Sequence, residues 1–177
     1  MCCRFSLSLY KEDLETRFNA WFEKGLSYQE NRDYFPSQAA PVITNSDPQK
    51  IQLFSFGLLP KWSKNRVPNV RAETVSEKFG LSKRCIIPVT AFFEWHEKKL
   101  YRITLSDEKP FSFAGICSEN SFAIITTSPN SLLKKIHHRM PVILTPEEED
   151  IWLQKGALNL LDAFPAREMQ AIRLSKH

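Results

Sequence analysis

The sequence predicts an α+β protein built on a mostly antiparallel, strongly bent β-sheet or barrel with peripheral helices. Segments rich in Ile, Val, Phe, Thr and Tyr outnumber segments with helical periodicity, and polar turns separate them. Most connections are too short for the helical crossovers that join parallel strands. The chain has 177 residues and no internal repeat, so we expect residues 1–177 to form one domain.

The first predicted element is a helix over Asp13–Lys24, which Gly25 would end. Apolar residues recur there at i, i+4, i+7 and i+8, the spacing of a helix face that packs on a core. This face consists of Leu14, Phe18, Trp21 and Phe22. Residues 27–41 are rich in Asn, Asp, Ser and Gln and contain two prolines, which predicts a long surface loop.

The remaining strands and helices follow from local composition. β-branched and aromatic residues predict strands at Pro41–Thr44, Ile51–Leu58, Arg84–Trp95, Leu100–Leu105, Phe111–Cys117, Phe122–Thr127 and Pro141–Leu144. Helices are predicted at Ala72–Phe79, Ser131–Ile136, Pro146–Gln154 and Leu158–Leu161, with a helical tail from Arg167. The helix predicted at Pro146–Gln154 has the clearest amino-terminal signal, because Thr145, Pro146 and Glu148 match a capping box with proline at N1.

Composition excludes several classes of protein. No apolar run reaches the ~18–20 residues of a membrane helix, and the first residues lack the apolar core of a signal peptide, so we expect a cytoplasmic protein. Four cysteines without a CxxC pair or zinc spacing predict reduced thiols and no metal or other cofactor. The 24 basic and 20 acidic residues give a net charge of +4, a weak indication of an anionic partner. Nothing in the sequence indicates an oligomer, so we expect a monomer.

Cys2 carries distinctive chemistry if Met1 is removed. An amino-terminal cysteine has a free α-amine and a thiol on adjacent carbons. The amine condenses with an aldehyde to an imine, and the thiol then closes a five-membered thiazolidine ring. The alternative is that Cys2 and Cys3 are only small residues at the start of a strand.

Asn69 and Arg71 precede the predicted helix at Ala72. Asn69 fits a turn or helix cap, the commoner role of asparagine at such a place, or a site residue. Arg71 is a cation near a helix amino terminus, where the dipole disfavours it, which indicates an anionic partner.

Two further residues are candidates for proton transfer. Alternation along the strand places Glu94 beside Phe92 and His96, where burial would raise the carboxyl pKa; an ion pair with an arginine is the alternative. His137 lies at a junction between helix and strand and is either a catalytic or a structural histidine. A Cys2–His137 pair would also suit thiol-dependent hydrolysis of a peptide bond.

Five segments in order resemble the SOS-response-associated peptidase (SRAP) family, whose members process abasic sites. They are MCCRF at 1–5, FGLLPKW at 56–62, NVRAET at 69–74, RCIIP running on to FEW at 84–95, and TTSPN through HHRMPVIL at 126–144. The resemblance extends from residue 1 to about residue 154. It implies a compact, mostly β fold with a basic groove that binds single-stranded DNA containing abasic sites.

The resemblance also implies roles for individual residues. Cys2 would be the nucleophile that forms a thiazolidine crosslink with the opened abasic sugar, Asn69 would position sugar and nucleophile, and Glu94 and His137 would move protons. The DNA-contacting positions that the resemblance implies are Arg4, Phe56, Trp62, Arg71, Thr126 and Arg139.

Three single residues depart from the usual family pattern: Cys3 stands where a glycine is usual, Phe56 where a tryptophan is usual, and His138 where an acidic residue is common. The expected activity is covalent shielding of abasic sites in the DNA damage response, on nucleoid DNA, with AP-lyase and autopeptidase activity as associated reactions. Two alternatives stay open. One is a thiol-dependent peptidase with Cys2 as nucleophile and His137 as base, and the other is a noncatalytic module that binds single-stranded DNA.

Overall fold

The structure is a computed structural model that describes residues 2–30 and 32–175. It confirms the α+β class: two strongly bent sheets carry the core, and helices lie at the periphery. The strands are β1 Phe5–Leu7, β2 Trp21–Phe22, β3 Arg32–Tyr34, β4 Ala39–Thr44, β5 Asp47–Phe56, β6 Asn69–Arg71, β7 Arg84–Val89, β8 Ala91–His96, β9 Lys99–Leu105, β10 Phe111–Ser118, β11 Ser121–Thr127, β12 Met140–Pro141, β13 Ile143–Leu144 and β14 Met169–Arg173. The α-helices are α1 Lys11–Phe18, α2 Ala72–Phe79 and α3 Pro146–Lys155. Short 3-10 helices occur at Leu133–Lys135, Leu158–Leu160 and Ala166–Glu168.

The two sheets differ in size and topology. The smaller has the order β14-β9-β8-β1-β3, and the larger runs β12-β11-β10-β7-β4-β5-β2, with β13 on β10 and β6 on β11. Most pairs are antiparallel, but β2 pairs with β5 in parallel, and β11 pairs in parallel with both β5 and β6. The strands of these parallel pairs are either distant in sequence or joined without a regular crossover. The length of the connections therefore did not predict the parallel pairing.

The predicted strand Arg84–Trp95 is in fact two strands in different sheets. Thr90 interrupts it: its N–H and its hydroxyl both donate to the Ser6 carbonyl (2.8 and 3.1 Å), and the hydroxyl accepts from the N–H of Ser8 (3.0 Å). The chain bends here and β8 joins β1, with Phe5 opposite Phe92. This bend places Glu94 beside the start of the chain.

The first helix is shorter than predicted. Asn19 adopts a left-handed conformation (φ 47°) that ends α1 after Phe18, and β2 follows. The N–H of Phe22 then donates to Glu15 Oε1 (3.0 Å), which fixes the new direction of the chain. Trp21 is consequently exposed, so the apolar stripe is not one helix face.

Several other boundaries differ from prediction. The loop at 27–41 contains β3 and the start of β4; the first of these pairs with β1. Ser131–Ile136 and Leu158–Leu161 are short 3-10 turns, the predicted helical tail contains β14, and the last predicted strand is divided into β12 and β13. The capping box of α3 is confirmed, with the Thr145 and Glu148 side chains each bonded to the other residue's N–H.

Aromatic rings fill the space between the sheets. Phe5 stacks on Tyr34 (centroids 5.3 Å apart) and meets Phe56 and Phe113 edge-on (5.6 and 6.2 Å). Such pairs each add about 0.5–1.5 kcal/mol beyond the burial of their area. They join β1 firmly to both sheets and hold the residues just before it in place. Within the described residues, no helix is long and apolar enough to cross a membrane.

Candidate active site

Cys2 lies buried at the entrance to β1, with a relative exposure of 1%. Its thiol donates to the carbonyl of Arg4 (3.6 Å). Burial raises the pKa of this thiol well above its ordinary value, and the nearby Glu94 carboxylate raises it further. The resting sulfur is therefore a neutral thiol. Met1 lies outside the described residues.

Asn69 is a strand residue and not a helix cap. It lies on β6 opposite Ile124 of β11, and the residue at the cap position of α2 is Arg71. The Asn69 side-chain amide is buried and donates from Nδ2 to the Cys2 carbonyl (3.0 Å). Its Oδ1 atom has no hydrogen-bond partner among the described residues. Asn69 thus fixes the Cys2 backbone and retains a buried acceptor.

Glu94 is buried on β8, with a relative exposure of 4%. The antiparallel pairing with β1 extends to a bond from the Phe93 N–H to the Arg4 carbonyl (3.0 Å), which places Glu94 near Cys2. Burial raises the pKa of the Glu94 carboxyl, and the charge of His138 opposes that rise. A carboxyl whose pKa is raised holds its proton more readily than an exposed one, which suits it to proton transfer.

His137 is half-buried in the loop between the Leu133–Lys135 turn and β12. Its Nδ1 lies 3.1 Å from both the amide nitrogen and the carbonyl oxygen of Arg139. Burial lowers the pKa of the His137 imidazole, so the neutral ring predominates at neutral pH. The ring of exposed His138 stacks on it with centroids 4.3 Å apart, and the charge of His137 lowers the pKa of His138.

Arg139 points into the protein. Its guanidinium donates to both carboxylate oxygens of Glu73 (2.6 and 2.8 Å) and to the Thr126 carbonyl (2.6 Å). Thr126 is itself buried, and its hydroxyl donates to the Val70 carbonyl (3.1 Å). In this conformation both residues bind other parts of the chain, whereas the sequence predicted that they contact DNA.

Arg4 and Arg71 are the predicted phosphate contacts that reach solvent. Arg4 is about one-third exposed and bonded to Asp33 (2.6 and 2.9 Å), with its guanidinium 4.1 Å from the Phe93 ring centroid and 5.7 Å from that of Phe35. Arg71 is exposed at the end of β6 and affects the pKa of both Glu73 and His138, which places its charge at the same face.

The two predicted stacking residues differ sharply in exposure. Phe56 is fully buried and stacks on Phe122 (5.2 Å, 7°), so it is a core residue and the expectation that it stacks on a base is wrong. Trp62 is 66% exposed and packs near Phe79 (5.7 Å). The rings of Trp62 and Phe79 line an open groove of about 880 Å³. The cationic residues that share this groove are Lys61, Arg66, Lys78 and Lys83.

The groove and the Cys2 region lie at opposite ends of α2. The helix begins directly after Arg71 and ends at Phe79, and eight residues at a rise of ~1.5 Å each span roughly 12 Å. Sequence reasoning missed three residues that complete these surfaces: Asp33 and Phe35, in the segment read as a loop, and Glu73. Alternation around Tyr34 and the carboxylate in the first turn of α2 are the signals that were available.

The structure therefore brings Cys2, Asn69 and Glu94 together and places the His137 loop next to them. His96 on β8 anchors that loop, since its Nδ1 lies 3.1 Å from the Ile136 carbonyl. Among the described residues, no cluster of three or more His, Cys, Asp or Glu side chains is arranged to hold a metal. All four cysteines in this part of the chain are free thiols.

Comparison with known proteins gives this arrangement a family. The sequence profile described as SOS response associated peptidase (SRAP) matches residues 1–177. The chain belongs to the SRAP family. The abasic site processing proteins YoqW and YoaM of Bacillus subtilis are each 34% identical to it over 208 aligned positions, which cover 99% of this chain and 92% and 91% of theirs.

A yeast protein and two solved structures are also similar to this chain. The abasic site processing protein YMR114C of Saccharomyces cerevisiae is 30% identical over 63% of this chain and 37% of its own length. A crystal structure of a Bacteroides thetaiotaomicron protein superimposes with a TM-score of 0.83 at 32% identity, covering 98% of this chain and 92% of that one. A Bordetella bronchiseptica protein shares the fold, with a TM-score of 0.85 at 20% identity over 99% and 100% of the two chains.

Proposed function

We propose that this protein processes abasic sites in single-stranded DNA by forming a thiazolidine crosslink through Cys2 after Met1 is removed. The observation that carries the proposal is the buried group in which Asn69 holds the Cys2 carbonyl and Glu94 lies close to the thiol. The names of the Bacillus relatives, abasic site processing proteins, support the same substrate.

The reaction has two bond-forming steps. The Cys2 α-amine attacks the C1′ aldehyde of the ring-opened abasic sugar and releases water, which leaves an imine. The Cys2 sulfur then bonds to the imine carbon, and the thiol proton passes to the nitrogen, which closes the five-membered ring. No oxidant or cofactor is needed, because the sum is aldehyde plus aminothiol giving thiazolidine plus water.

The raised pKa of the Cys2 thiol favours this order of events. A neutral thiol leaves the first attack to the amine and needs a base for the second step. Glu94 can accept the thiol proton and return one to a leaving hydroxyl, because its own pKa is raised by burial. His137, neutral at the same pH, serves the opening of the sugar ring.

The same pKa weighs against a thiol-dependent peptidase. Cysteine hydrolases attack with a thiolate that a neighbouring cation stabilises. Here the charged group with the largest effect on the pKa of Cys2 is the Glu94 carboxylate, which raises that pKa and so disfavours the thiolate. The aldehyde-capture mechanism does not require a resting thiolate.

The DNA path in this proposal joins two surfaces. Arg4 and Arg71 provide phosphate contacts near Cys2, and half-exposed Phe35 offers a ring beside Arg4. The groove at the far end of α2 adds Trp62, Phe79 and four cations, the combination of stacking faces and positive charge that suits single strands. Glu119 also lines this groove, so its charge is mixed but predominantly positive.

The test is a denaturing gel of protein mixed with a single-stranded oligonucleotide carrying one abasic site. We expect a heat-stable adduct with the wild type and with Cys3→Ala, and no such adduct with Cys2→Ala. Cys2→Ser retains the amine and would give an imine that is trapped only by reduction. Cleavage of the DNA strand at the abasic site by Cys2→Ser would indicate AP-lyase activity.

Intact mass of the purified protein is measured first, so that every preparation used has a known amino terminus. A mature chain that starts at Cys2 and forms no adduct with the abasic strand would refute the proposal. A heat-stable adduct that forms with Cys2→Ala in the absence of a reductant would refute the thiazolidine assignment.

A further inference from the structure

The half-exposed carboxylate of Glu73 and the buried guanidinium of Arg139 form an ion-pair clamp next to His137. The Arg139 side chain is only 10% exposed, and its two terminal nitrogens bond to the two Glu73 oxygens at 2.6 and 2.8 Å. Paired bonds of this kind are strong and fix orientation as well as distance. The bond from Arg139 to the Thr126 carbonyl (2.6 Å) attaches the clamp to the end of β11.

The position of Glu73 strengthens the clamp. Glu73 lies in the first turn of α2, where the helix dipole favours a carboxylate. The hydrogen bonds from Arg139 lower the pKa of the Glu73 carboxyl, which is therefore ionised at neutral pH. The guanidinium of residue 139 is thus held between a helix start and a strand end.

The main chain of Arg139 contacts Nδ1 of the His137 ring. Its amide N–H donates to His137 Nδ1 when that nitrogen is unprotonated, and its carbonyl accepts from Nδ1 when it is protonated, each at 3.1 Å. One backbone unit can therefore satisfy both protonation states of the ring. This suits a histidine that must give and take a proton during a single reaction.

We propose that Glu73 is a positioning residue for His137, acting through Arg139. This inference rests on the proposed function for its kinetic consequence. The two terminal nitrogens of Arg139 bind Glu73 and Thr126, whereas its Nε has no hydrogen-bond partner among the described residues.

The variant that tests the clamp is Glu73→Gln, which keeps the size of the side chain and removes its charge. We expect crosslinking at saturating abasic DNA to slow about 10- to 100-fold, the scale of a small misplacement of a catalytic group. Affinity for the same strand without an abasic site should stay within about twofold, because no DNA contact is lost. Glu77→Gln, an exposed carboxylate one turn further along α2, is the matched control and should behave as the wild type.

A second measurement does not depend on crosslinking. The ¹⁵N NMR signals of the His137 ring, assigned by their loss in His137→Ala, report whether Nδ1 keeps its partner. They should shift in Glu73→Gln and in Arg139→Lys, which cannot form the paired bonds, and not in Glu77→Gln. If the wild type forms no adduct, the proposed function fails while these signals still decide the positioning role.

Two results would overturn the inference. The first is an unchanged His137 ring signal in Glu73→Gln. The second is tighter DNA binding by Glu73→Gln together with a wild-type crosslinking rate, which would mean that Glu73 merely restrains a phosphate-binding Arg139. Melting temperatures of all variants separate these outcomes from a loss of folding.

Discussion

The side-chain amide of Asn69 donates a hydrogen bond to the main-chain carbonyl of Cys2 across 67 positions of sequence, at 3.0 Å. The bond is buried, and it connects the larger sheet, through β6 and β11, to the segment that enters β1 of the smaller sheet. The position of the proposed nucleophile is therefore set by both sheets. Asn69 also retains a buried Oδ1 acceptor within reach of anything that binds beside Cys2.

Replacing Asn69 with alanine should therefore affect both stability and chemistry. The buried Cys2 carbonyl loses its donor, at a cost of about 1–3 kcal/mol in the free energy of unfolding. Crosslinking should slow about 10- to 100-fold, because the nucleophile is no longer fixed. Urea unfolding and single-turnover adduct formation measure the two effects.

The control is Asn159→Ala, at an exposed asparagine of a 3-10 helix. It should leave both quantities unchanged. A wild-type crosslinking rate in Asn69→Ala would show that Asn69 has no part in positioning Cys2.

Glu94→Gln should show a pH-dependent gain in stability alongside a loss of activity. Burial raises the folded-state pKa of Glu94 above 4.5, so its favourable contribution is complete below that value and is lost as pH rises through the folded pKa. The glutamine variant should thus gain stability relative to the wild type between about pH 4 and about pH 7.5. Crosslinking should fall about 10²- to 10⁴-fold with little change in affinity.

Urea titrations of both proteins at the two pH values measure the difference. Glu97→Gln changes a 70% exposed carboxylate in the same hairpin and should show a much smaller pH effect. If Glu94→Gln instead loses stability relative to the wild type as the pH rises, an ion pair of Glu94, and not its desolvation, dominates.

The sequence predicted the class of fold, but it did not predict how Cys2, Asn69 and Glu94 come together. Cys2, Asn69 and Glu94 belong to separate segments, and the sequence motifs indicated each of them. The bend at Thr90 that carries Glu94 to β1 depends on hydrogen bonds to Ser6 and Ser8, more than 80 positions away. No local pattern encodes such a contact.

Exposure was the other quantity that composition could not supply. Phe56 and Trp62 lie six positions apart in one motif, yet one ring is fully buried against Phe122 and the other is largely exposed. The difference arises because Phe56 ends β5 inside the sheet, whereas Trp62 follows in the turn beyond it. The pairing of Arg139 with Glu73 was not predicted for the same reason, since the two residues come from different elements.

Arg71→Ala should weaken DNA binding without slowing the chemistry. Arg71 is exposed at the end of β6, so its loss would remove the proposed phosphate contact and leave the core intact. For about three to five neutralised phosphates, the logarithmic salt slope of the wild type on single strands should lie near −2 to −4, and the variant should lose about 0.7 of it. Crosslinking at saturating DNA should stay near the wild-type rate.

Binding to an undamaged oligonucleotide across a salt series gives the slope directly. Arg167→Ala removes another exposed arginine, in the carboxyl-terminal region, and serves as the control. An unchanged slope in Arg71→Ala would exclude Arg71 from the DNA path.

Trp62→Ala tests whether the groove at the end of α2 takes part in binding. Loss of one stacking face should cost about 1–3 kcal/mol of binding free energy on strands long enough to reach the groove. Strands that end within a nucleotide of the abasic site on both sides should bind the variant and the wild type equally, because the groove lies roughly 12 Å of helix away.

A series of oligonucleotides shortened from either end, measured with both proteins, locates the effect and its polarity. Trp21→Ala, at a 52% exposed tryptophan of β2, is the matched control. A loss of affinity that is independent of strand length would argue against a distant subsite.

His138→Asp should preserve or improve crosslinking near neutral pH and should move its acid limb to higher pH. The His138 ring stacks on His137 at 4.3 Å, and the two cationic forms oppose each other, as the lowered pKa of His138 reflects. A carboxylate at this position instead favours the imidazolium of His137 and raises its pKa. Neutral His137 then becomes protonated at a higher pH, so the rate begins to fall earlier as the solution is acidified.

Single-turnover rates between about pH 5 and pH 8 measure the shift. The variant His138→Ala separates the loss of the stacked ring from the gain of the negative charge. A loss of more than about tenfold near neutral pH in His138→Asp alone would mean that the negative charge harms the site, and would contradict this prediction.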